Sequence, residues 1–298
     1  MRDEGGESRD EVMVIGEEGM AESGQRNADR ALRSFWRFAG LAMVLSWVWW
    51  VPIAFTRQNA VNTEFIFLLI LGGCGPSFAA LYLTRREGGP GALKAFARRV
   101  FALRFGLVPW LAIVLVWPLL FGLAALLASR FGGYPYPYSP LWTVFDASPV
   151  MIVPQLLVFL LWGPLSEEYG WRGYALEQLL SEADSMPALG KLKSALLVGG
   201  VWALWQLPLF FIVGTAESNL RPALFLLNIL GLSVIYTALY TASGRKLGAA
   251  VALHFFYNLT LGFVPLLDKV TFAWLVGLVY LVALGIVVGW VVKDRRRG

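Results

Sequence analysis

The sequence predicts an all-α fold, a polytopic transmembrane bundle of about eight helices with both termini in the cytosol. Of its 298 residues, 57% are hydrophobic and only 15% are charged, whereas a typical soluble domain has about 45–50% and about 25%. Long apolar runs recur along the chain, and the basic residues lie between those runs rather than on one polar domain. This spacing favours a membrane over a nucleic-acid partner.

Eight segments have the composition of a spanning helix, which needs about 20 apolar residues because lipid offers no partner to an unpaired backbone group. They lie at 36–56, 65–84, 107–129, 149–165, 194–213, 222–241, 249–264 and 270–292. With the N-terminus inside, 20 of the 25 Lys and Arg residues fall in cytosolic segments, and only Arg57, Arg130, Arg221 and Lys269 fall outside. Because positively charged loops stay in the cytosol, eight spans fit better than seven or nine.

The first 34 residues are predicted to form a disordered, acidic cytosolic tail. Nine of the first 33 residues are acidic and no apolar stretch there is typical of a secretory signal. Residues 35–298 are then the integral membrane domain. We therefore expect an integral protein of the cell membrane without a cleaved signal peptide, in contact with membrane lipids and not with nucleic acid.

Chemistry in this chain depends on carboxylates, amides and one imidazole, because it has a single histidine and a single cysteine. Disulfide frameworks and Cys/His metal clusters are thereby excluded. Ionisable side chains inside apolar runs are rare, since each costs roughly 2.5–3.5 kcal/mol at a helix centre, and those that occur are functional by default. The ionisable and amide side chains that stand out are Glu167, Glu168 and Arg172 after the fourth span, Gln206 in the fifth, and His254 and Asn258 in the seventh.

The two glutamates lie in the sequence WGPLSEEYGWRG. Pro164 suits a first helical turn and Ser166 can act as a cap, so the helix is expected to start or restart there. Glu168 and Arg172 are four residues apart and share a face, where they can form an ion pair. Glu167 points about 100° away and has no cation on its own helix. This is the environment of a general base.

His254 and Asn258 are also four residues apart, as are Trp202 and Gln206. If these helices pack together, one carboxylate, one imidazole and two amides converge, which suffices for water activation and carbonyl polarisation in peptide hydrolysis. Structural alternatives remain open. The glutamates and the arginine can form an ion pair at the membrane boundary, and His254 and Gln206 can form interhelical hydrogen bonds.

At these motifs the chain resembles a known family. EEYGWRGYAL is similar to the EExxxR motif, and HFFYN to the HxxxN motif, of the CPBP intramembrane proteases, which include type II CAAX prenyl endopeptidases and Abi-type bacteriocin-processing or immunity proteins. The resemblance covers a core of about residues 150–262. It implies that Glu167 activates the attacking water with support from Glu168 and Arg172. It also implies that His254 and Asn258 stabilise the oxyanion or bind a metal.

The resemblance breaks at the second motif, which is normally FxxxH. Here WALWQLPLF places Gln206 where the family has a histidine. Glutamine cannot accept a proton at neutral pH, and loss of a shared proton-transfer group lowers turnover by roughly 10²–10⁴-fold. The family also implies a divalent metal such as zinc, but the single histidine argues against it, because catalytic zinc usually has three protein ligands.

The sequence thus predicts an intramembrane endopeptidase that uses glutamate-activated water. Its expected substrate is a membrane-associated or lipidated peptide, cleaved near the cytosolic face where the glutamate helix ends. A non-catalytic scaffold or bacteriocin-immunity protein is the alternative that Gln206 motivates. A transporter or channel would explain the bundle, but the inverted repeats common in such proteins are not evident.

Overall fold

The computed structural model describes residues 7–133, 145–146, 148–180, 186–264 and 269–297, with side chains from residue 24 onward. Within these ranges no residue is in a strand, so the predicted all-α fold is confirmed. The helices are α1 (Glu7–Thr56), α2 (Phe65–Gly73), α3 (Gly75–Arg98), α4 (Leu107–Gly132), α5 (Pro149–Leu179), α6 (Ala188–Trp205), α7 (Pro222–Ala242), α8 (Leu247–Phe263) and α9 (Lys269–Arg295). Short 3-10 turns follow α3 at Arg99–Phe101 and α6 at Leu207–Phe211.

Among the described residues, six helices are long and apolar enough to cross a membrane: α1 from Gly24, α4, α5, α6 extended to Phe211, α7 and α9. α2 and α3 are bent by 45° and together make a seventh candidate span. α8 has 17 residues, or about 25 Å of helix against a hydrocarbon core of about 30 Å. The polytopic membrane bundle is confirmed, while the eighth span and the cytosolic termini remain predictions.

The N-terminal segment differs from its prediction. α1 begins at Glu7, so the expected disorder of residues 1–34 is wrong from that residue onward, and residues 1–6 lie outside the described part. Residues 7–34 are rich in Glu, Ala and Arg, which are good helix formers. A helix that extends an existing span also needs no new nucleus. The segment from Gly24 to Arg30 is exposed, as its polarity predicts.

α5 is broken at Trp162 and Gly163, whose φ/ψ values of −89°/108° and 97°/−76° are not helical. The stretches Leu161–Leu165 and Tyr169–Leu176 have π-helical hydrogen bonding, which is frequent at functional sites. The break confirms the predicted restart of the helix. Ser166 does not cap it in the usual way, because its Oγ accepts a hydrogen bond from the N–H of Gly163 at 2.9 Å rather than from an amide of the following turn.

Buried tryptophans join the helices in the core. Three indole N–H groups donate to other helices: Trp50 to the Leu69 carbonyl at 2.9 Å, Trp117 to the Leu253 carbonyl at 2.8 Å, and Trp205 to Ser46 Oγ at 2.6 Å. Each side chain therefore contributes a large apolar surface and leaves no N–H unsatisfied, as a bundle in lipid requires. These contacts link α1 to α2, α4 to α8, and α1 to α6.

The two ends of the bundle differ in charge. One end, here called the basic end, holds the last turns of α3, α5, α7 and α9. There Glu177 accepts hydrogen bonds from Arg245 at 2.6 and 2.9 Å, and Asp294 accepts one from the Ala188 N–H at 2.5 Å. The other end, here called the far end, holds the connections at 57–64 and 212–221, joined by a hydrogen bond from the Ala60 N–H to the Val213 carbonyl at 2.9 Å.

Candidate active site

The two adjacent glutamates lie inside α5, with only 9% of Glu167 and 0% of Glu168 exposed. α5 continues for 11 residues beyond Glu168, to Leu179. A helix of 31 residues is longer than the hydrocarbon core of a membrane, so the position of the glutamates at the end of the fourth span, with cleavage near the cytosolic face, stays a prediction. The hydropathy pattern stops at the charges, but the helix continues because neighbouring side chains compensate the Glu168 carboxylate.

Glu168 connects α5 to α8 through one oxygen. Its Oε1 accepts a hydrogen bond from Arg172 Nη1 at 2.9 Å and lies 2.7 Å from His254 Nδ1. The predicted pairing of Glu168 with Arg172 is confirmed. Because an ionised carboxylate can only accept hydrogen bonds, Nδ1 of His254 carries a proton. The nitrogen that remains for other partners is Nε2.

Arg172 is held between aromatic rings. Its guanidinium carbon lies 4.3 Å from the ring centroid of Trp202 and 4.1 Å from that of Tyr236. Both distances are within the range of cation–π attraction, which strengthens when the pair is desolvated. The arginine is therefore kept in the bundle interior by one carboxylate and two rings, behind the cavity wall.

Glu167 faces a different set of groups. Its Oε2 accepts a hydrogen bond from the Trp202 indole N–H at 2.8 Å, and no cation pairs with it among the described residues. Its second oxygen makes no hydrogen bond within the described part of the chain. Glu167 is thus held by one oxygen and free at the other, a geometry that suits a group that must receive a proton.

Asn258 and His254 meet the break in α5. Asn258 Nδ2 donates to the Trp162 carbonyl at 2.8 Å and so links α8 to a residue at which α5 is broken. A Cβ placed on Gly163 would lie 2.8 Å from His254 Nε2 and 3.0 Å from Asn258 Nδ2. The two side chains therefore lie directly over the Gly163 Cα, where any larger residue would displace them.

A cavity of about 400 Å³ is bordered by Glu167, Gln206, His254 and Asn258. A second cavity of about 260 Å³ adjoins it and shares Glu167 and Gln206. Gln206 is 8% exposed, and within the described residues its carboxamide makes no hydrogen bond. The structure therefore brings four of the six predicted residues to one cavity, and it places Glu168 and Arg172 immediately behind its wall.

The donor set at this cavity does not fit a catalytic zinc ion. Glu168 Oε1 is already shared by Arg172 and His254, which leaves the Glu167 carboxylate and His254 Nε2. Catalytic zinc usually needs three protein ligands, and among the described residues no three His, Cys, Asp or Glu side chains are placed to hold a metal ion. We therefore derive no step through a metal.

Sequence reasoning missed three residues of this site. Gly163 was detectable from the Trp-Gly-Pro sequence that precedes the glutamates, because such a triplet predicts a break. Tyr236 gave no signal, since an aromatic residue in a span is ordinary. Glu217, at the rim of both cavities, was detectable only as an acid in a short loop. Burial raises the pKa of Glu217 above its ordinary value.

Comparison with known proteins agrees with the motifs. Residues 149–260 match the family model described as type II CAAX prenyl endopeptidase, Rce1-like, a segment that contains all six predicted site residues. Over 224 residues the chain is 25% identical to CAAX prenyl protease 2 of Methanococcus maripaludis, across 72% of this chain and 79% of that protein. The resemblance drawn from the sequence is thus confirmed: this chain is an integral membrane protein whose site-bearing segment is similar to the Rce1-like type II CAAX prenyl endopeptidases, a family of membrane proteases.

Proposed function

We propose that this protein is an intramembrane endopeptidase that hydrolyses a peptide bond in a membrane-associated peptide without a metal. The observation that carries the proposal is the convergence of Glu167 and His254 on one cavity deep in the bundle. The free oxygen of Glu167 takes a proton from water as the water oxygen bonds to the scissile carbonyl carbon. The proton then passes to the leaving amine as the C–N bond breaks.

The remaining side chains have separate roles in this proposal. His254, whose Nδ1 is held by the Glu168 carboxylate, presents Nε2 to the oxyanion of the tetrahedral intermediate. Asn258 donates a hydrogen bond to the backbone at the break in α5 and so holds that part of the helix beside His254. Arg172 pairs with the Glu168 carboxylate and is a positioning residue. Gln206 can donate or accept one hydrogen bond to orient water but cannot share the proton, so we expect slow turnover.

The substrate that we propose is a prenylated peptide. One support is the name of the Methanococcus relative, CAAX prenyl protease 2. The other is an apolar groove of about 390 Å³ between α2, α3 and α5, lined by Phe78, Leu81 and Leu161 and reaching Trp162 and Ser166 beside the glutamates. An isoprenoid chain in this groove would place the adjoining peptide next to Glu167.

The test is cleavage of prenylated and unprenylated peptides by protein reconstituted in liposomes. Glu167→Gln should abolish product formation, because the amide cannot take a proton. Glu64→Gln, at an exposed position near the far end, is the matched control and should retain full activity. Cleavage that survives Glu167→Gln would refute the assignment. Equal rates of cleavage of the prenylated and unprenylated peptides would refute only the proposal that the substrate is prenylated.

Gln206 supports a second candidate, a family relative that binds a peptide without cutting it, as a membrane scaffold or bacteriocin-immunity protein. In that case peptide binding persists with no product, and Gln206→His does not create any. Product from the wild type decides against this candidate.

A further inference from the structure

We propose that Glu217 and Asn228 form a subsite that binds a positively charged side chain of the peptide substrate, a lysine or an arginine. The inference deepens the proposed function, on which it rests in taking the occupant of the cavity to be a peptide. It names the kind of residue that this chain selects near the bond that Glu167 acts on.

The two cavities beside Glu167 carry carboxylates without a neutralising lysine or arginine. Glu167 and Glu217 border both cavities, and none of the described residues that line either cavity is a lysine or an arginine. His254, the only imidazole, lies against the Glu168 carboxylate. Because a cleft lined by one sign of charge attracts the opposite sign, these cavities favour a cationic ligand.

Glu217 has no cation of its own. Its side chain is half-buried, and among the described residues no ion pair includes it. The side chains outside the described part include only two basic ones, Arg2 and Arg9, and both lie in the N-terminal segment, at the other end of α1 from the 57–64 connection. Burial raises the pKa of Glu217 above its ordinary value, and a bound cation would offset that cost.

Asn228 contributes a neutral acceptor to the larger cavity. It is 1% exposed, it borders that cavity together with Glu217, and its Oδ1 has no hydrogen-bond partner among the described residues. An unsatisfied buried acceptor is destabilising, and it is explained when a ligand supplies the donor. Ammonium and guanidinium groups have several N–H donors and no acceptor, so they match a carboxylate and a carboxamide oxygen.

The loop that carries Glu217 is fixed by hydrogen bonds around Thr215. Thr215 is buried, and its Oγ1 lies 2.7 and 2.9 Å from two backbone carbonyls of the same connection. A Cβ placed on Gly214 would lie 2.2 Å from Asn59 Oδ1, so the loop also packs closely against the 57–64 connection. The backbone of Glu217 is therefore positioned before a ligand binds, which lowers the entropic cost of binding.

The distance from the subsite to the reacting centre predicts which peptide residue is bound. Tyr236, whose ring centroid lies 6.0 Å from that of His254, follows Asn228 on α7 by about 12 Å at 1.5 Å per residue. An extended peptide advances about 3.3–3.6 Å per residue, so this length corresponds to about three or four residues. A long basic side chain spans part of it. We therefore expect the cation roughly two to four residues from the scissile bond.

The experiment measures peptide binding to the full-length Glu167→Gln protein in lipid nanodiscs, where no turnover occurs. Two matched series of N-acetylated peptides are used, one prenylated on a cysteine and one unprenylated. Each peptide places lysine, norleucine or glutamate at one position, and the position is moved along the peptide on both sides of the cysteine. Acetylation removes the N-terminal ammonium, so that the lysine side chain is the only cation varied.

Glu217→Gln, Glu217→Lys and Asn228→Leu, each added to this protein, test the subsite. Glu64→Lys is the matched control, because Glu64 is an exposed acid at the end of the 57–64 connection and borders neither cavity. Melting followed by tryptophan fluorescence shows which variants fold. If Glu217→Lys does not fold, the comparison rests on Glu217→Gln.

We expect lysine peptides to bind about 10- to 100-fold more tightly than norleucine peptides at the best position, since hydrogen bonds to charged groups contribute on that scale. Glu217→Gln should remove this preference, Glu217→Lys should reverse it in favour of glutamate, and Glu64→Lys should preserve it. Affinities independent of peptide charge at every position would overturn the inference, as would a lysine preference that survives both Glu217 variants. An unchanged preference in Asn228→Leu would exclude Asn228 from the subsite.

Failure of the proposed function is distinguishable, because binding requires no turnover. Charge-selective binding that depends on Glu217, with no product from the wild type, retains the subsite and refutes only the protease. Cleavage by the wild type at equal rates for lysine and norleucine peptides retains the protease and refutes only the subsite. If no peptide of either series binds, the inference is overturned, because the occupant of the cavity is then not a peptide.

Discussion

Gly163→Ala is expected to abolish most of the activity while leaving the bundle folded. The residue has φ = 97°, a conformation that costs a residue with a Cβ about 1–3 kcal/mol. An added Cβ would also lie 2.8 Å from His254 Nε2, where ordinary contact begins at 3.4 Å. The imidazole must therefore retreat by about 0.6 Å, the difference between these two distances.

The consequence for the rate is larger than the consequence for stability. Misplacement of a reacting group by about 1 Å can lower a rate by about 10²-fold, so we expect a loss of roughly 10- to 100-fold in kcat, with KM affected less. The assay is peptide cleavage in liposomes, in parallel with the melting temperature followed by tryptophan fluorescence.

Gly106→Ala is the matched control. Its φ is 89°, and a Cβ there would meet no atom within 4 Å, so it carries the backbone strain without the steric contact. Both variants should melt at lower temperature than the wild type, and only Gly163→Ala should lose activity. If the two variants were equally active, His254 Nε2 would not be at the reacting centre, and the reasoning would be refuted.

Three further predictions concern the same bundle. Gln206→His should raise turnover by 10-fold or more, because it restores a proton acceptor at the cavity; an active enzyme unchanged by it would show that position 206 takes no part. Gly75→Ala should lower the melting temperature, because its Cβ would lie 2.0 Å from Ser46 Oγ and overpacking typically costs about 1–3 kcal/mol. Gly73→Ala, whose added Cβ would have no atom within 4 Å, should leave the melting temperature unchanged. Equal melting temperatures for the two variants would contradict the close approach of α1 and α3. Arg172→Met should destabilise strongly, by about 3–5 kcal/mol, and adding Glu168→Gln should recover stability but not activity; recovery of both would make the pair purely structural.

The sequence predicted contacts between residues of one helix well. Contacts between different helices could be predicted only from the resemblance to the family. The Glu168–Arg172 pair follows from a spacing of four on one helix, and the break before the glutamates follows from Gly163 and Pro164. The hydrogen bond from Trp202 to Glu167 joins residues 35 positions apart. No periodicity on either helix determines which faces meet, because that depends on the packing of the whole bundle.

Helices run through charged residues at two places. The sequence predicted a fourth span over 149–165 with a helical restart at Pro164, and a disordered tail over residues 1–34. In α5 the Glu168 carboxylate is compensated by Arg172 and His254, so the helix continues through it. In α1 the charged residues extend into solvent as further turns of an existing helix, which adds one hydrogen bond for each residue fixed.

The buried network contains more polar groups than a structural ion pair would need. Glu168 Oε2 and Arg172 Nη2 are buried without a hydrogen-bond partner among the described residues, and unsatisfied buried groups of this kind typically cost about 1–3 kcal/mol each. An ion pair selected for stability alone would have all of its polar atoms hydrogen-bonded, or could be replaced by apolar residues without loss of stability. Here the second carboxylate, on Glu167, is left with a free oxygen, and Glu168 fixes the His254 ring so that Nε2 remains available. These unsatisfied groups are explained if the network is retained to hold a base and a polar donor beside the same substrate bond, which is why we attribute it to chemistry rather than to folding.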